Sequence, residues 1–265
     1  MTDPLAMRPR RPARDARLPA LAAVLAALLL LFLLVPLLAL VAGGGAAGMR
    51  GLLTDAELRR SLLLTAGTAT AATLVAIVLG TPTAFLLARR RFRGRALVQA
   101  ALDLPLLVPH PVAGIALLLV LARDTPLGGA LLALGVRVVG TPLGIVVAMA
   151  FVSAPLYVSA ARETFARVDA RYEGVARTLG DSAWRAVRRV TLPLAARGLV
   201  AAATVTWARA VSEFGAIVVL AYNPKVASVL SYDRLTAFGL DEALPVAAVL
   251  VLLALVPLTV LRAAR

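Results

Sequence analysis

Long apolar stretches dominate the pattern of hydrophobic and polar positions along this chain. A membrane hydrocarbon core about 30 Å thick is crossed by a helix of about 20 apolar residues, and six stretches of this kind occur. They cover residues 18–41, 61–87, 96–121, 141–161, 199–222 and 243–261. The pattern predicts an all-α, polytopic membrane protein with six transmembrane helices. We expect a short tail, residues 1–17, followed by a single transmembrane domain, residues 18–265.

Positive charge is distributed unevenly among the polar segments. The chain has 28 Lys and Arg residues against 14 Asp and Glu residues, although only 16% of its residues are charged. Most of the basic residues lie before the first stretch, in segments 89–95 and 162–197, and after the last stretch, whereas the alternate segments hold fewer. Positive residues near membrane spans are retained in the cytoplasm. We therefore expect a multi-pass protein of the plasma or inner membrane with both termini cytoplasmic.

The composition argues against several kinds of site. The absence of cysteine excludes disulfides, thiolate zinc sites and a cysteine nucleophile. A single histidine argues against a metal site. The only lysine, Lys225, is not part of a Gly-x-x-x-x-Gly-Lys-Ser/Thr phosphate-binding loop, so we expect neither ATPase activity nor a cofactor in this chain. An aromatic content of 5% argues against nucleic-acid binding.

The longest arginine-rich segment, 162–197, has the pattern of two short helices joined by a turn. Its first half repeats apolar residues at the spacing of one helical face, and these are Tyr172, Val175, Ala176 and Leu179. Gly180 supplies a helix stop, and Asp181 with the following serine supplies an N-cap. The second helix carries Trp184, and Pro193 is predicted to end it. This amphipathic hairpin either contacts a protein or rests on lipid headgroups.

The hairpin resembles the Glu-Ala-Ala loop of ABC importer permeases, in which that motif is followed by a glycine and then by Leu-Pro. The matching stretch runs from Glu173 to Gly180 and is followed by Leu192-Pro193, with Gly174 at the usual position of the motif's glutamate. In that family the loop docks into a cleft on the nucleotide-binding subunit. The resemblance thus implies an ATPase-coupling interface. Its residues are Tyr172, Glu173, Gly174, Val175, Ala176, Leu179, Gly180, Asp181, Trp184, Leu192 and Pro193.

Several polar side chains lie within the predicted spans, where charges are costly unless they are paired or face water. Arg209 and Glu213 are four residues apart in the fifth span, so they share a helical face and either form an ion pair or line the pore. His110 lies between two prolines that should break or kink the third span. Broken helices in membranes are found where they line a cavity or are buried in protein. The candidate pore or gate residues are Asp103, Pro109, His110, Arg209, Ser212, Glu213 and Phe214.

Segments 103–116 and 208–216 resemble signatures of the molybdate, tungstate and sulfate branch of these permeases, and segments 221–224 and 239–248 are similar to the molybdate/tungstate members. The resemblance implies the type I importer permease fold and a homodimer embedded in lipid. It also implies two copies of a separate ATPase subunit, which bind ATP and Mg, and an extracytoplasmic binding protein that delivers the oxyanion.

Three functions remain open from the residues. The resemblance favours the permease subunit of an ATP-driven importer for a tetrahedral oxyanion, with molybdate or tungstate ahead of sulfate. Asp103, His110 and Glu213 are also residue types that relay protons in proton-coupled secondary transporters. The third alternative is a membrane scaffold that transports nothing and whose hairpin recruits a soluble protein.

Overall fold

Twelve α-helices form the part of the chain that this computed structural model describes, residues 17–263. The predicted tail, residues 1–17, lies outside the described residues except for Arg17. The helices are α1 (Arg17–Thr54), α2 (Ala56–Arg89), α3 (Arg95–Leu107), α4 (His110–Leu121), α5 (Pro126–Ala133), α6 (Pro142–Arg167), α7 (Arg171–Thr178), α8 (Ala183–Ala186), α9 (Leu192–Val211), α10 (Gly215–Leu220), α11 (Ala227–Phe238) and α12 (Leu240–Ala263).

Within the described residues, five helical segments are long and apolar enough to cross a membrane. They are Leu21–Thr54, Ala56–Arg89, Pro142–Arg167, Ala183–Val211 and Leu240–Pro257. Helices α3 and α4 pass the same test as a pair but are bent by 115°. Counted as one broken span, this pair brings the number to six. The all-α polytopic fold is thus confirmed, and so is the break that the prolines around His110 predict.

Helix α1 extends beyond the first predicted span, 18–41, because it continues through a glycine-rich segment to Thr54. These glycines pack against the start of α12. A Cβ on Gly44 would lie 2.3 Å from the carbonyl oxygen of Leu244, and one on Gly48 would lie 2.5 Å from that of Pro245. Close backbone approach through small residues is a common way for helices to associate in lipid.

The core is built around α2 and α6, which pack along much of their length. Gly80 permits the close approach, since a Cβ there would lie 2.8 Å from Cδ1 of Tyr157. The hydroxyls of Tyr157 and Thr81 form a hydrogen bond of 2.8 Å. One turn further on, the rings of Phe85 and Phe165 meet edge to face with centroids 5.5 Å apart. Helices α9 and α10 pack against this pair and complete the buried core.

The prediction that Pro193 ends its helix is wrong. The turn before it, Val187–Thr191, is π-helical, and the N–H of Leu192 bonds to the carbonyl of Val187, five residues back. A π-helical turn is wider than an α-helical turn, so the proline ring is accommodated where it would otherwise clash with the preceding turn. Helix α8, the π-helical turn and α9 therefore form one continuous helix, Ala183–Val211.

The predicted fifth span, 199–222, is also wrong as a single helix. Helix α9 ends at Val211, the backbone of residues 212–214 is not helical, and α10 begins only at Gly215. The fifth span is thus interrupted near its end, as the third span is between α3 and α4. The two interruptions lie together, because α4 packs directly on α10. This juxtaposition positions one of the two candidate sites.

Candidate functional site

The predicted hairpin is formed by α7 and α8. Between them Gly180 has φ +97°, a left-handed conformation that glycine adopts without the steric penalty of a side chain. Ser182, rather than Asp181, caps α8, because its hydroxyl accepts the N–H of Arg185 at 3.3 Å. Asp181 instead pairs with Arg189 at 3.1 Å across the turn. The turn is therefore fixed at both ends by local bonding.

An apolar patch lies exposed on this hairpin. Leu179 is 83% exposed and Trp184 is 68% exposed, and Tyr172 and Val175 are each more than half exposed. A polar groove of about 490 Å³ runs beside the patch and includes Gly174. Large apolar side chains clustered at this exposure are typical of a surface that binds another protein. Of the predicted coupling residues, Ala176 is buried beneath the patch.

Glu173 attaches the hairpin to the membrane helices. Its Oε1 accepts the Nε–H of Arg89 at 3.0 Å and the hydroxyl of Thr191 at 2.7 Å. Arg89 also donates from Nη1 to the carbonyl of Val168 at 2.8 Å. One carboxylate oxygen thus joins the hairpin to the end of α2 and to the π-helical turn. A charged pair that is largely shielded from water and bonded in this way holds its geometry well.

The sequence identified Glu173 as an interface residue but did not identify its partners. Glu173 is mostly buried by its own chain, at 18% side-chain exposure, and so differs from the exposed patch beside it. Arg89 is the first of a run of arginines after a span, and such runs are explained by topology alone. Leu192 and Pro193 follow the π-helical turn at the start of α9 and lie outside the hairpin.

A second candidate site lies where the third and fifth spans are interrupted. His110 is the first residue of α4, and Glu213 lies two residues beyond the end of α9. Nη2 of Arg209 is 2.9 Å from Oε2 of Glu213 and 2.7 Å from Nε2 of His110. Nη1 of Arg209 donates to the hydroxyl of Ser212 at 3.3 Å. We call His110, Arg209, Ser212 and Glu213 the break cluster.

Glu213 is fully buried, yet both of its carboxylate oxygens have partners. Oε2 faces Arg209 and lies 3.4 Å from Nδ1 of His110, while Oε1 accepts the N–H of Ala216 at 2.9 Å. Its backbone carbonyl accepts the hydroxyl of Ser228 at 2.7 Å. A buried carboxylate without such partners would be very costly. The sequence predicted that Arg209 and Glu213 share one helical face. In the structure they do not, because Glu213 follows the end of α9.

Two glycines allow the interruptions to meet. A Cβ on Gly215 would lie 2.7 Å from Cβ of His110, and a Cβ on Gly114 would lie 2.8 Å from the carbonyl oxygen of Ala216. Any larger residue would therefore push α4 and α10 apart. The sequence analysis did not single out these glycines, although both lie inside the segments that carried the family resemblance. Their signal was the small residue itself, because membrane helices approach closely at small residues.

A cavity of about 450 Å³ opens beside the break cluster. Four predicted pore residues line it, and they are Pro109, His110, Ser212 and Phe214. The remaining candidate, Asp103, lies on α3, and within the described residues it has no hydrogen bond or ion pair with the break cluster. The structure therefore brings together all the predicted pore residues except Asp103.

A polar group that the sequence analysis missed lies at the opposite end of α2 from the hairpin. Asp55 caps α2 by accepting the N–H groups of Glu57 and Leu58 at 2.9 and 3.0 Å. Its Oδ2 is also 2.7 Å from Nη2 of Arg234 on α11. Burial raises the pKa of Asp55, but the bonds from Leu58 and Arg234 outweigh this effect and lower the pKa below its usual value. The group ties α2 to α11.

Comparison with known proteins places these features in a family. A family model described as a binding-protein-dependent transport system inner membrane component matches residues 80–264. The molybdate/tungstate transport system permease protein of Thermococcus kodakarensis is 42% identical over 205 residues, which cover 77% of this chain and 76% of that protein. A probable molybdenum ABC transporter permease protein of Haloferax volcanii is 41% identical over 205 residues, covering 74% and 73%.

A solved structure shares the fold. A chain of a bacterial ABC transporter that imports the acidic polysaccharide alginate superimposes with a TM-score of 0.68 over 95% of this chain and 94% of that chain, at 19% identity. The sequence relatives are permease proteins, not ATPases. The chain therefore belongs to the family of binding-protein-dependent transport system inner membrane components, as a membrane-spanning permease subunit of an ABC importer.

Proposed function

We propose that this permease imports molybdate or tungstate and that a separate ATPase, with its own ATP and Mg, drives it through the hairpin of α7 and α8. The substrate assignment is supported by the relatives at 41% and 42% identity, whose names specify molybdenum, or molybdate and tungstate. The coupling assignment is carried by one observation, which is the exposed apolar patch around Leu179 and Trp184 on a hairpin anchored by Glu173. An exposed apolar patch of this kind marks a surface that contacts a protein or the membrane, and the resemblance to the Glu-Ala-Ala loop favours a protein.

The hairpin is connected directly to the break cluster. Trp184 and Arg209 belong to the same continuous helix, Ala183–Val211. At about 1.5 Å of rise per residue, this helix carries a displacement at the hairpin to the break cluster roughly 38 Å away. Movement of α9 against α10 then changes the shape of the cavity beside His110. This is a rigid-element route for switching between inward-facing and outward-facing states.

The assembly that follows from this proposal is a homodimer in the cell membrane. Two ATPase copies contact the two hairpins on the cytoplasmic side, where both termini also lie. A binding protein delivers the oxyanion on the other side, near the polar group that contains Asp55 and Arg234. The orientation is supported by the arginine-rich segments at the hairpin end of the molecule.

The proton-coupled alternative is less well supported than ATP-driven import. It requires Asp103, His110 and Glu213 to form a relay, and Asp103 stands apart from the other two in the described structure. Membership of a binding-protein-dependent transport family also favours an external energy source. The scaffold alternative gives no role to the break cluster.

Reconstituted vesicles test the proposal. Vesicles that contain the permease, its ATPase and internal ATP are expected to take up tungstate from the binding protein, and an uncoupler is expected to leave this uptake unchanged. Leu179→Asp is expected to insert into the membrane but to lose both ATPase co-purification and uptake. Leu179→Met, which keeps the apolar surface, serves as the matched control. Uptake without the ATPase, or uptake abolished by the uncoupler, would contradict the proposal.

A further inference from the structure

Arg209 lies between a buried carboxylate and an open cavity. Its side chain is 21% exposed, whereas Glu213 behind it is fully buried. On the cavity side are His110, at 43% side-chain exposure, and the exposed hydroxyl of Ser212. The guanidinium therefore faces the carboxylate of Glu213 on one side and bonds on the other to His110 and Ser212, which line the cavity.

The donor groups around this space suit a tetrahedral oxyanion. A guanidinium has five N–H donors, and it binds carboxylates and oxyanions with the same fork geometry. Nη2 of Arg209 bonds to Glu213 and His110 and Nη1 bonds to Ser212, which leaves Nε and one hydrogen of Nη1 for an incoming anion. Ser212, whose hydroxyl bonds to the carbonyl of Arg209, and His110 are polar groups at the wall of the cavity. The cavity, at about 450 Å³, is large enough for a small oxyanion together with water.

The two charges are carried by different elements. Arg209 belongs to α9, the helix that continues from the hairpin. The backbone N–H of Glu213 bonds to Ala210 at the end of α9, but its side chain accepts the N–H of Ala216 on α10 and its carbonyl accepts the hydroxyl of Ser228 on α11. A movement of α9 relative to α10 and α11 therefore changes the distance between the cation and its carboxylate. Such a movement exposes the cation to the cavity in one state and neutralises it in the other.

We propose that Arg209, His110 and Ser212 form a transient binding site for the tetrahedral oxyanion inside the permease, with Glu213 as a resident counter-ion that limits its affinity. This inference rests on the proposed function, because it takes its ligand class from there. An arginine without a counter-ion beside this cavity would hold a dianion tightly and delay its release. Glu213 competes for the same cation, so the anion passes without being trapped.

Removal of the counter-ion is the decisive change. Glu213→Gln keeps an oxygen that accepts the N–H of Ala216 but lacks the negative charge. Tungstate binding is then measured by calorimetry on the purified permease with its ATPase and without the binding protein. We expect Glu213→Gln to bind tungstate at least about tenfold more tightly than the wild type. Glu163→Gln, which removes an exposed carboxylate from α6, is expected to leave binding unchanged.

The double variant Arg209→Gln/Glu213→Gln shows whether the gain depends on the arginine. We expect it to lose the gain, whereas Arg197→Gln/Glu213→Gln, which removes an exposed arginine from the same helix, should keep it. Wild-type affinity in Glu213→Gln, or a gain that survives Arg209→Gln, would overturn the inference. If Glu213→Gln does not assemble, Ser212→Ala is the variant that tests the site. We expect the KM for tungstate uptake to rise about threefold in Ser212→Ala while kcat is unchanged. An unchanged KM would overturn the inference.

Failure of this inference is distinct from failure of the proposed function. If wild-type vesicles import tungstate with ATP but Glu213→Gln binds it like the wild type, only the internal site is wrong. If wild-type vesicles import no tungstate, the proposed function itself is wrong.

Discussion

Glu173 makes the mechanical connection between the hairpin and the membrane helices through a single carboxylate oxygen. That oxygen receives hydrogen bonds from Arg89 and from Thr191, which belong to different elements. Because Arg89 is charged and mostly shielded from water, loss of the negative charge of Glu173 leaves that cation without its counter-ion, even where an oxygen is retained. The connection is therefore sensitive to changes that leave the size of the side chain unaltered.

Glu173→Gln is expected to loosen the hairpin by about 1–2 kcal/mol. The loosened hairpin should still bind the ATPase, because the apolar patch is intact, but it should transmit motion poorly. Tungstate uptake per ATP hydrolysed, measured on the same vesicles, is expected to fall about threefold. Glu163→Gln is the charge-matched control on α6. An unchanged ratio of uptake to ATP hydrolysis in Glu173→Gln would show that the bonds of Glu173 do not transmit motion from the hairpin.

For single residues, the sequence identified the members of the break cluster and offered the ion pair of Arg209 with Glu213 as one alternative, but it did not predict the contact of Arg209 with His110. His110, Arg209 and Glu213 stand out because polar residues are rare in apolar spans. Arg89 does not stand out, since arginines flank membrane spans in any such protein. The buried bond from Ala216 to Glu213 is made by a backbone group, and no sequence pattern marks it.

The turn of the hairpin depends on one backbone conformation. Gly180 has φ +97°, whereas Gly174 lies inside α7 with ordinary helical geometry, and a Cβ on either would meet nothing within 4 Å. Alanine at position 180 is therefore strained by its backbone conformation alone, by about 1–2 kcal/mol. Alanine at position 174 is expected to stabilise α7 by about 0.5–1 kcal/mol.

These two substitutions should change hydrogen exchange of the hairpin in opposite directions. Gly180→Ala is expected to speed exchange of the α7 and α8 amides by about tenfold, and Gly174→Ala is expected to slow it. Both variants add the same methyl group at an open position. Equal exchange rates in the two variants would show that the left-handed turn does not limit the stability of the hairpin.

The cap of α2 gives a prediction that depends on pH. The pKa of Asp55 is lowered in the folded protein, so its stabilisation is present above the unfolded value, about pH 3.9, and is lost as the pH falls through the lowered value. Asp55→Ala should lower the unfolding free energy by about 1 kcal/mol at neutral pH, and Asp55→Asn should lower it less, because asparagine also caps.

Thermal unfolding in detergent between pH 3 and pH 7 measures this effect. The difference between the wild type and Asp55→Ala is expected to shrink as the pH falls below about 4. A difference that grows toward acid would contradict the role of the carboxylate.

The π-helical turn shows why the end of the second hairpin helix was not predicted. Proline usually ends a helix because its ring clashes with the preceding turn. The wider turn that precedes it ends at Thr191, whose hydroxyl bonds to Glu173, 18 residues earlier in the chain. Local sequence rules do not contain that contact, so they predicted an end at Pro193 where the helix continues.

Deletion of Arg188 tests the role of the wide turn. Loss of one residue should convert the π-helical turn to an α-helical one, which leaves no room for the ring of Pro193, so the helix should kink there and reorient the hairpin. We expect the variant to insert into the membrane but to lose ATPase co-purification, while Arg188→Ala keeps it. Wild-type assembly after the deletion would show that the orientation of the hairpin is unimportant.

For the molecule as a whole, the pattern of apolar stretches predicted the number of spans and the fold class correctly. It did not predict that the interruptions of the third and fifth spans lie together, because this depends on the close packing permitted by Gly114 and Gly215. It also did not predict the 115° bend between α3 and α4. Prolines determine that a helix breaks, while packing against the rest of the protein determines the angle.

The account depends on contact between the hairpin and an ATPase, and cross-linking measures that contact most directly. The chain has no native cysteine, so single cysteines can be placed at Leu179 and Trp184 on the hairpin and at Phe238, 73% exposed at the opposite end. In vesicles that import tungstate, we expect cross-links to the ATPase from the two hairpin positions and none from Phe238. Cross-links from Phe238, or none from the hairpin while ATP-driven uptake is intact, would contradict the account.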